Sequence, residues 1–311
     1  MSVITLLVIE HSLKQVTAIK ILEWASSSFF LFSNPANRLY YLYLLSFFVL
    51  ALIFSKGSRE VLTKKYWFNP SAIFDYKVYA FNSLIKAILI VPVLFSVFTV
   101  SKVVLSFLYF FFSDFKAFSL GDEKLIWIFS LYSFVINDFF RFFLHYLMHE
   151  IPFLWKFHRT HHTATSLTPF TLHRNHPVEV LLAQMRNVIS LGFISGTFMF
   201  LFNKQIGGID ILGVNFLGFL FNFLGSNLRH SHIFLGYGPL EYIFISPAQH
   251  QIHHAKDEVL YNRNYGIALS LWDILFKSFK RSRGVSISGY GTGGEEGDHS
   301  FKTQVLDAFR T

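Results

Sequence analysis

Twelve of the fourteen histidines of this chain lie between His145 and His254. They include three clusters, which are His145-Tyr-Leu-Met-His149, His158-Arg-Thr-His161-His162 and His250-Gln-Ile-His253-His254. The second and third clusters share the spacing H-x-x-H-H, for which chance at this composition gives roughly 0.03 copies. Two copies in one chain indicate that the spacing serves a function.

The spacing gathers imidazole side chains. Residues three or four apart share a helix face, so His145 and His149 are predicted to project together, and each H-x-x-H-H box to converge three imidazoles on one side. Imidazole suits zinc, copper, iron and nickel. The chain has no cysteine, which excludes thiolate zinc sites and cysteine-ligated iron–sulfur clusters. Eight clustered histidines exceed the four ligands of one tetrahedral zinc, so they predict two metal ions rather than a set of buried structural histidines.

Two metals that each take four or five imidazoles need one or two ligands beyond these eight. His230 ends an apolar segment and His176 begins one, as the box histidines do, so both are predicted ligands. His173 and His232 are predicted to orient ligating imidazoles through a hydrogen bond. His11 and His299 are expected to be solvated surface residues.

The composition indicates a membrane protein. The chain is 52% hydrophobic, 19% aromatic and 15% charged, whereas soluble domains carry about 25% charged residues. The mean hydropathy is +0.42. These values predict an all-α, multipass transmembrane bundle, capped at the cytoplasmic face by the histidines. The net charge of +8 then reflects contact with a membrane surface rather than with nucleic acid.

The order of apolar and basic segments predicts where the histidines meet. Met1–Phe32 is predicted to be an amphipathic interfacial helix. The predicted spans are Leu39–Phe54, Val78–Phe112, Leu125–His149, Val178–Phe202 and Ile209–Leu228. Val78–Phe112 exceeds one span, so it is either a kinked helix or a span with an interfacial extension. The basic connection Lys56–Lys77 should be cytoplasmic, and alternation from there places all three clusters at the cytoplasmic face.

Three regions are expected along the chain. Residues 1–124 form N-terminal interfacial and transmembrane helices, residues 125–283 form the histidine-bearing core, and residues 284–311 form a tail on the surface.

Within the core, Asp138 and Arg141 lie on a predicted membrane helix. Charges at that depth are functional candidates, although an i,i+3 ion pair explains them equally well. Asp138 and Glu150, which follows the first cluster, are the candidate catalytic carboxylates.

With these residues, the sequence resembles the fatty acid hydroxylase/sterol desaturase superfamily of integral-membrane, non-haem di-iron oxygenases. The superfamily has one H-x(3,4)-H box and two H-x-x-H-H boxes, which the three clusters match. The flanking segments that also resemble it are Arg174-Asn-His176-Pro-Val-Glu179, Ser246-Pro-Ala-Gln-His250, Asn264-Tyr-Gly266 and Leu271-Trp-Asp-Ile-Leu-Phe276. The resemblance extends from about Ile136 to Phe279. His149-Glu150 and Gly238-Pro-Leu-Glu241 are similar to alkylglycerol monooxygenase, whereas His176-Pro177 is more similar to bacterial sterol-desaturase-type proteins.

The resemblance implies two iron ions, dioxygen as co-substrate and a lipid substrate that enters from the bilayer, such as a sterol, a fatty acyl chain or an ether lipid. It leaves open whether hydroxylation, desaturation or ether cleavage follows. A separate reductase or a diffusible pterin must supply electrons, since the chain has no His-Pro-Gly-Gly haem motif. The expected location is the bacterial inner membrane or the endoplasmic reticulum. The alternatives are a divalent-metal transporter, a bis-histidine haem protein and an inactive lipid-binding relative.

Overall fold

The computed structural model describes residues 32–54, 59–204, 210–211, 214–292, 300–306 and 308. Its α-helices are α1 Tyr41–Phe54, α2 Lys64–Trp67, α3 Pro70–Phe111, α4 Asp122–Glu150, α5 Pro152–His162, α6 Pro177–Phe202, α7 Phe216–Phe223, α8 Pro247–His253 and α9 Leu271–Leu275. Its strands are β1 Asp210–Ile211 and β2 Val214–Asn215, paired antiparallel. Short 3₁₀ turns occur at Glu60–Leu62, Pro169–His173, Ser226–His230, Gly238–Tyr242 and Glu258–Leu260. The predicted helical fold is confirmed, with this two-residue strand pair as an addition.

The long helices α3 and α6 run side by side in the same direction. Two glycines of α6 permit their close approach. A Cβ at Gly192 would lie 2.6 Å from the Val100 side chain, and one at Gly196 would lie 2.7 Å from the Ser101 carbonyl oxygen. Because real Cβ atoms do not tolerate such distances, only glycine allows the two backbones to pack at this spacing.

Helices α4 and α6 are long and apolar enough to cross a membrane by length and composition. Large hydrophobic side chains cover their outer faces, for example Trp127 and Leu131 on α4 and Leu181 and Met185 on α6. Such faces suit contact with lipid, where no polar partner is needed. The larger number of spans stays a prediction.

Two expected segments differ from the structure, and a third lies almost wholly outside the described residues. Helix α3 begins at Pro70 rather than Val78, because Asn69 caps it by accepting a hydrogen bond from the Ala72 amide (2.9 Å), and it continues unbroken to Phe111. The predicted span Ile209–Leu228 is wrong as one helix, since its described residues form β1, β2, the eight-residue α7 and the start of a 3₁₀ turn. The interfacial helix predicted for Met1–Phe32 lies almost wholly outside the described residues.

The described part of the tail packs against the histidine-bearing core, which corrects the expectation of a surface appendage. Tyr290 forms a β-bridge with Ala255, and its hydroxyl donates to Gln251 Oε1 (3.1 Å). Val305 is buried within a π-helical turn, Lys302–Leu306. The region boundaries at 124 and 283 stay a prediction.

Candidate metal centre

Three helix ends deliver the box histidines to one place. His145 and His149 lie in the last turns of α4, and His158, His161 and His162 lie in α5 after a sharp turn at Ile151-Pro152. The third box begins on α8. Ser246 caps α8 by accepting from the Gln249 amide (3.1 Å), while Gln249 Oε1 accepts from the Ser246 amide (3.0 Å). This reciprocal capping fixes where α8 starts and hence where its histidines point.

Nine histidines form two groups that could each hold a metal ion. The group of five is His145, His149, His158, His162 and His253. The group of four is His161, His230, His250 and His254. Within each group, the candidate ligand nitrogens all lie within 4.8 Å of one another. Imidazole nitrogens that bind one ion at about 2.1 Å sit about 3 to 4 Å apart, so both groups have the dimensions of a single-ion site.

Unpartnered nitrogens support this interpretation. Seven of the nine rings carry a buried nitrogen that lacks a hydrogen-bond partner among the described residues: His149, His158, His161, His162, His250, His253 and His254. In the group of four, Nε2 of His230 and Nε2 of His250 are 3.1 Å apart, which matches two ligands of the same ion. Buried polar atoms are rarely left unpaired, so the residues present fit a pair of metals.

Each H-x-x-H-H box divides its histidines between the two groups. His158 and His162 belong to the group of five, and His161 belongs to the group of four. In the third box, His250 and His254 belong to the group of four, and His253 belongs to the group of five. The cause is helix geometry, because positions i+3 and i+4 lie on opposite sides of position i, about 100° apart. The three rings of the second box still converge, with centroids 5.0–5.6 Å apart, but they are shared between the two groups. The groups adjoin, since the His162 and His254 rings stack at 4.5 Å.

Hydrogen bonds to Nδ1 orient three of the rings. His145 donates to the Tyr265 carbonyl oxygen (2.7 Å), His158 to Glu179 Oε1 (3.0 Å) and His253 to the Arg263 carbonyl oxygen (2.9 Å). Each bond places the hydrogen on Nδ1 and leaves Nε2 free to bind metal. All three rings belong to the group of five, which is the more completely oriented site.

Burial keeps these imidazoles neutral. It is the main cause that lowers the pKa of His253 to about 3. Burial, followed by repulsion from neighbouring histidines, also lowers the pKa of His161, His162 and His254 well below 6.5. A neutral imidazole offers a lone pair, so these rings are ready to bind metal at neutral pH.

The structure does not bring every predicted histidine to the centre. His176 caps α6 instead, because its Nδ1 accepts from the Val178 amide (3.1 Å) and its Nε2 donates to the Val305 carbonyl oxygen (2.8 Å). Both nitrogens are thus engaged, which corrects its assignment as a ligand. His173 and His232 lie against the rings of Tyr79 and Tyr66. Neither bonds to a histidine of the two groups within the described residues.

The two candidate catalytic carboxylates also lie apart from the metal groups. Asp138 is buried and accepts from the amides of Ala268 and Leu269 (both 3.0 Å) and from Trp272 Nε1 (3.1 Å). These bonds make it an anchor for the segment that follows the third box. Glu150 is exposed and accepts from the Tyr265 hydroxyl (2.8 Å). Glu150 therefore touches the centre only through Tyr265.

A cavity of about 740 Å³ reaches the group of five. Three ligand histidines line its inner end: His149, His162 and His253. Lys156 and Arg159 line it together with Thr303 and Gln304 of the tail. The cavity gives small molecules a path to this site.

Sequence reasoning gave no role to Glu179 or Tyr265. Both lie in segments that resemble family signatures, and each holds a ligand histidine through a side-chain carboxylate or a backbone carbonyl. Asp273 positions Tyr265 by accepting from its amide (2.8 Å) and from that of Gly266 (2.8 Å). The sequence feature that could have indicated the role of Glu179 is its position, three residues after His176 in a segment that resembles a family signature.

The two adjoining all-histidine groups could each hold a metal ion. Residues 130–278 match the fatty acid hydroxylase family model. The match agrees with the resemblance predicted from the sequence. The matched residues include all nine histidines of the two groups.

Curated relatives agree with this family. The chain is 26% identical over 162 residues to an alkylglycerol monooxygenase from Caenorhabditis elegans, covering 52% of this chain and 28% of the relative. It is 30% identical over 161 residues to the ornithine lipid hydroxylase OlsE from Rhizobium tropici, covering 52% of this chain and 44% of the relative. The human alkylglycerol monooxygenase is 25% identical over 143 residues, covering 46% and 28%. The chain thus spans less than half of the length of these relatives. No solved structure gave a significant match.

Proposed function

We propose that the protein is a membrane-embedded di-iron oxygenase that hydroxylates or desaturates an unactivated C–H bond of a lipid. The observation that carries the proposal is the pair of adjoining groups of buried, neutral imidazoles within the residues that match the fatty acid hydroxylase family model. Two bound irons would supply the reduction of dioxygen and the removal of hydrogen from carbon. Relatives named for alkylglycerol and ornithine lipid support a lipid substrate.

The chain's own residues would prepare this chemistry in three ways. His149, His162 and His253 line the cavity, so the group of five is the one that small molecules reach. Glu179 and the Tyr265 carbonyl hold their ligand rings in one orientation. All four histidines of the group of four are buried, which limits water at that group. Electrons come from a separate reductase or a diffusible pterin.

The proposal also assigns the position of the helices and of the metal centre in the membrane. In this proposal helices α4 and α6 cross the bilayer, which their length and composition support. The basic segments around the histidine groups support a centre at the cytoplasmic side. The position of His145 and His149 in the last turns of α4 supports an interfacial centre. A metal transporter instead needs ligands near the middle of its spans, and a haem needs only one histidine pair.

Metal analysis tests the proposal. Protein purified in neutral detergent should contain close to two irons per chain. His161→Ala and His253→Ala each remove a ligand from a different group, so each should lower the iron content, while His232→Ala should retain it. One iron per chain, or full retention in both ligand variants, contradicts the di-iron centre.

Lipid analysis tests the reaction. Lipids from cells that express the protein should include a species that has gained one oxygen atom or lost two hydrogens. That species should be missing from cells that express His253→Ala at an equal level. Its presence in both cultures refutes the activity.

A further inference from the structure

Four arginines lie inside the bundle beside the metal centre. We call Arg38, Arg141, Arg186 and Arg229 the arginine cluster. Arg141 is one helical turn before His145 on α4, about 6 Å along the axis. Arg229 precedes His230 and is 3% exposed, and Arg38 is 9% exposed. Arg186 of α6 donates to Asn137 Oδ1 (3.3 Å) on α4. The cluster therefore adjoins both metal groups.

Contacts and charge effects show that these cations share one interior. Arg38 Nε donates to Asn227 Oδ1 (3.4 Å), two residues before Arg229. Burial, then repulsion from Arg229 and Arg141, lowers the pKa of Arg38. Burial and repulsion from Arg141 lower the pKa of Arg229 to about 10. Arg186 and Arg141 lie close together, because Arg186 donates to Asn137 and Arg141 is one helical turn after Asn137 on α4.

A fifth cation extends the cluster. Lys86 of α3 and Arg38 both act on His173, whose pKa is lowered first by burial and then by these two charges. Positive charge thus reaches from α3 across to α4.

The described residues supply too little negative charge to balance the cluster. Asp138 is the nearby buried carboxylate, and three N–H groups already share it. The other buried carboxylates bind elsewhere: Asp75 to Arg174, Glu179 to His158, Glu241 to Ser246 and Ser282, and Asp273 to backbone amides. Arg229 donates to the carbonyl oxygens of Ser226 and Ile267, which carry no net charge. Arg186 Nε is buried without a hydrogen-bond partner among the described residues.

Uncompensated buried charge is costly, and ionisable groups at membrane depth mark functional sites. The guanidinium fork matches carboxylate and phosphate oxygens. We infer that the arginine cluster binds the anionic group, a carboxylate or a phosphate, of the lipid substrate. The inference rests on the proposed function and narrows its substrate class. Because the cluster begins one turn from His145, the oxidised carbon lies near the charged end of the lipid rather than at the far end of its chain.

Ligand-dependent thermal unfolding tests the inference in metal-loaded protein in neutral detergent. Dodecyl phosphate or dodecanoate should raise the unfolding midpoint, whereas dodecanol should not. Arg141→Gln and Arg229→Gln should each weaken the apparent affinity at least about ten-fold, the scale of one lost charge-assisted hydrogen bond. Arg283→Gln, which removes an exposed arginine, is the matched control and should bind as the unmodified protein does.

A second set of variants separates the arginine cluster from the neighbouring cavity. If Arg159→Gln weakens binding and Arg141→Gln does not, the anion sits in the cavity near Lys156, and the inference is overturned. Equal stabilisation by inorganic phosphate alone overturns the assignment to a lipid. Unchanged affinity in both cluster variants overturns it as well. If Arg141→Gln fails to fold, Arg38→Gln replaces it, since Arg38 lies outside the ligand-bearing helices.

Metal content is measured on every sample, which separates the two proposals. Two irons without dependence on the arginines refute only the anion site. Loss of anion affinity in Arg141→Gln in a protein that binds no iron supports the anion site and refutes the oxygenase.

Discussion

The bond between His158 and Glu179 offers a sharp test of how the centre is built. Glu179 Oε1 accepts from His158 Nδ1 at 3.0 Å, and both side chains are nearly excluded from solvent. The carboxylate fixes the hydrogen on Nδ1 and increases the electron density at Nε2. Glu179→Gln keeps a possible acceptor but removes the charge, and Glu179→Ala removes both.

The structure sets the size of the effect. A buried hydrogen bond to a charged group contributes about 1.5–3 kcal/mol, and loss of such an outer partner lowers metal affinity by roughly 10- to 100-fold. We expect Glu179→Ala to lie at the upper end of that range and Glu179→Gln at the lower end. The loss should appear at the group of five, since His158 belongs to it.

Competition with a chelator at neutral pH measures this affinity for each variant, with bound metal counted by elemental analysis. Glu258→Gln, an exposed carboxylate in the same half of the chain, serves as the matched control and should retain both metals. Equal affinity in the unmodified protein and in both Glu179 variants would refute the orienting role and with it the assignment of His158 Nε2 as a ligand.

Three further predictions concern ligands, packing and pH. His176→Ala should keep both metals and lose about 0.5–2 kcal/mol of stability as a lost helix cap, whereas His230→Ala should lose metal; metal loss in His176→Ala contradicts the assignment. Gly196→Val should destabilise by about 1–3 kcal/mol by overpacking against Ser101, measured by thermal unfolding, while Gly218→Ala, with open space around it, should be neutral. The metal-free protein should lose stability as the pH falls below 6.5. Histidines with a lowered pKa, such as His253 and His254, stay unprotonated in the folded protein but bind protons in the unfolded chain. Each such histidine therefore lowers the free energy of unfolding by up to about 1.4 kcal/mol per pH unit. A midpoint that is constant from pH 7.5 to 5.5 would contradict this.

All nine histidines of the two groups were candidate ligands from the sequence, eight from local helical spacing and His230 from its position at the end of an apolar segment. The pairs His145/His149, His158/His162 and His250/His254 each stay on one ion, as four-residue spacing requires. The assignment of His176 failed because its capping role depends on the position of Val305, which is distant along the chain. Spacing alone also could not show that the i+3 histidine joins the other group.

The sequence predicted the helices that are defined by the length of an apolar segment. It predicted less well the segments whose structure depends on packing against distant parts of the chain. Helices α4 and α6 lie close to the predicted spans. The segment after α6 is apolar enough for another span, yet its described residues include a strand pair and only eight residues of α7. Asp138 was predicted as a possible catalytic group, but its partners Ala268 and Trp272 lie far along the chain, so its anchoring role was not visible in the sequence.

The division of each H-x-x-H-H box has a consequence for how the centre fills. Helices α5 and α8 contribute to both groups, so an ion in one group immobilises the helices that the other group needs. Binding of the first ion therefore accounts for most of the loss of conformational entropy of these helices. The second ion binds with a smaller loss, so loading is cooperative. Half-filled molecules should be scarce at every point of an iron titration, and an enzyme built this way switches between an empty and a full state.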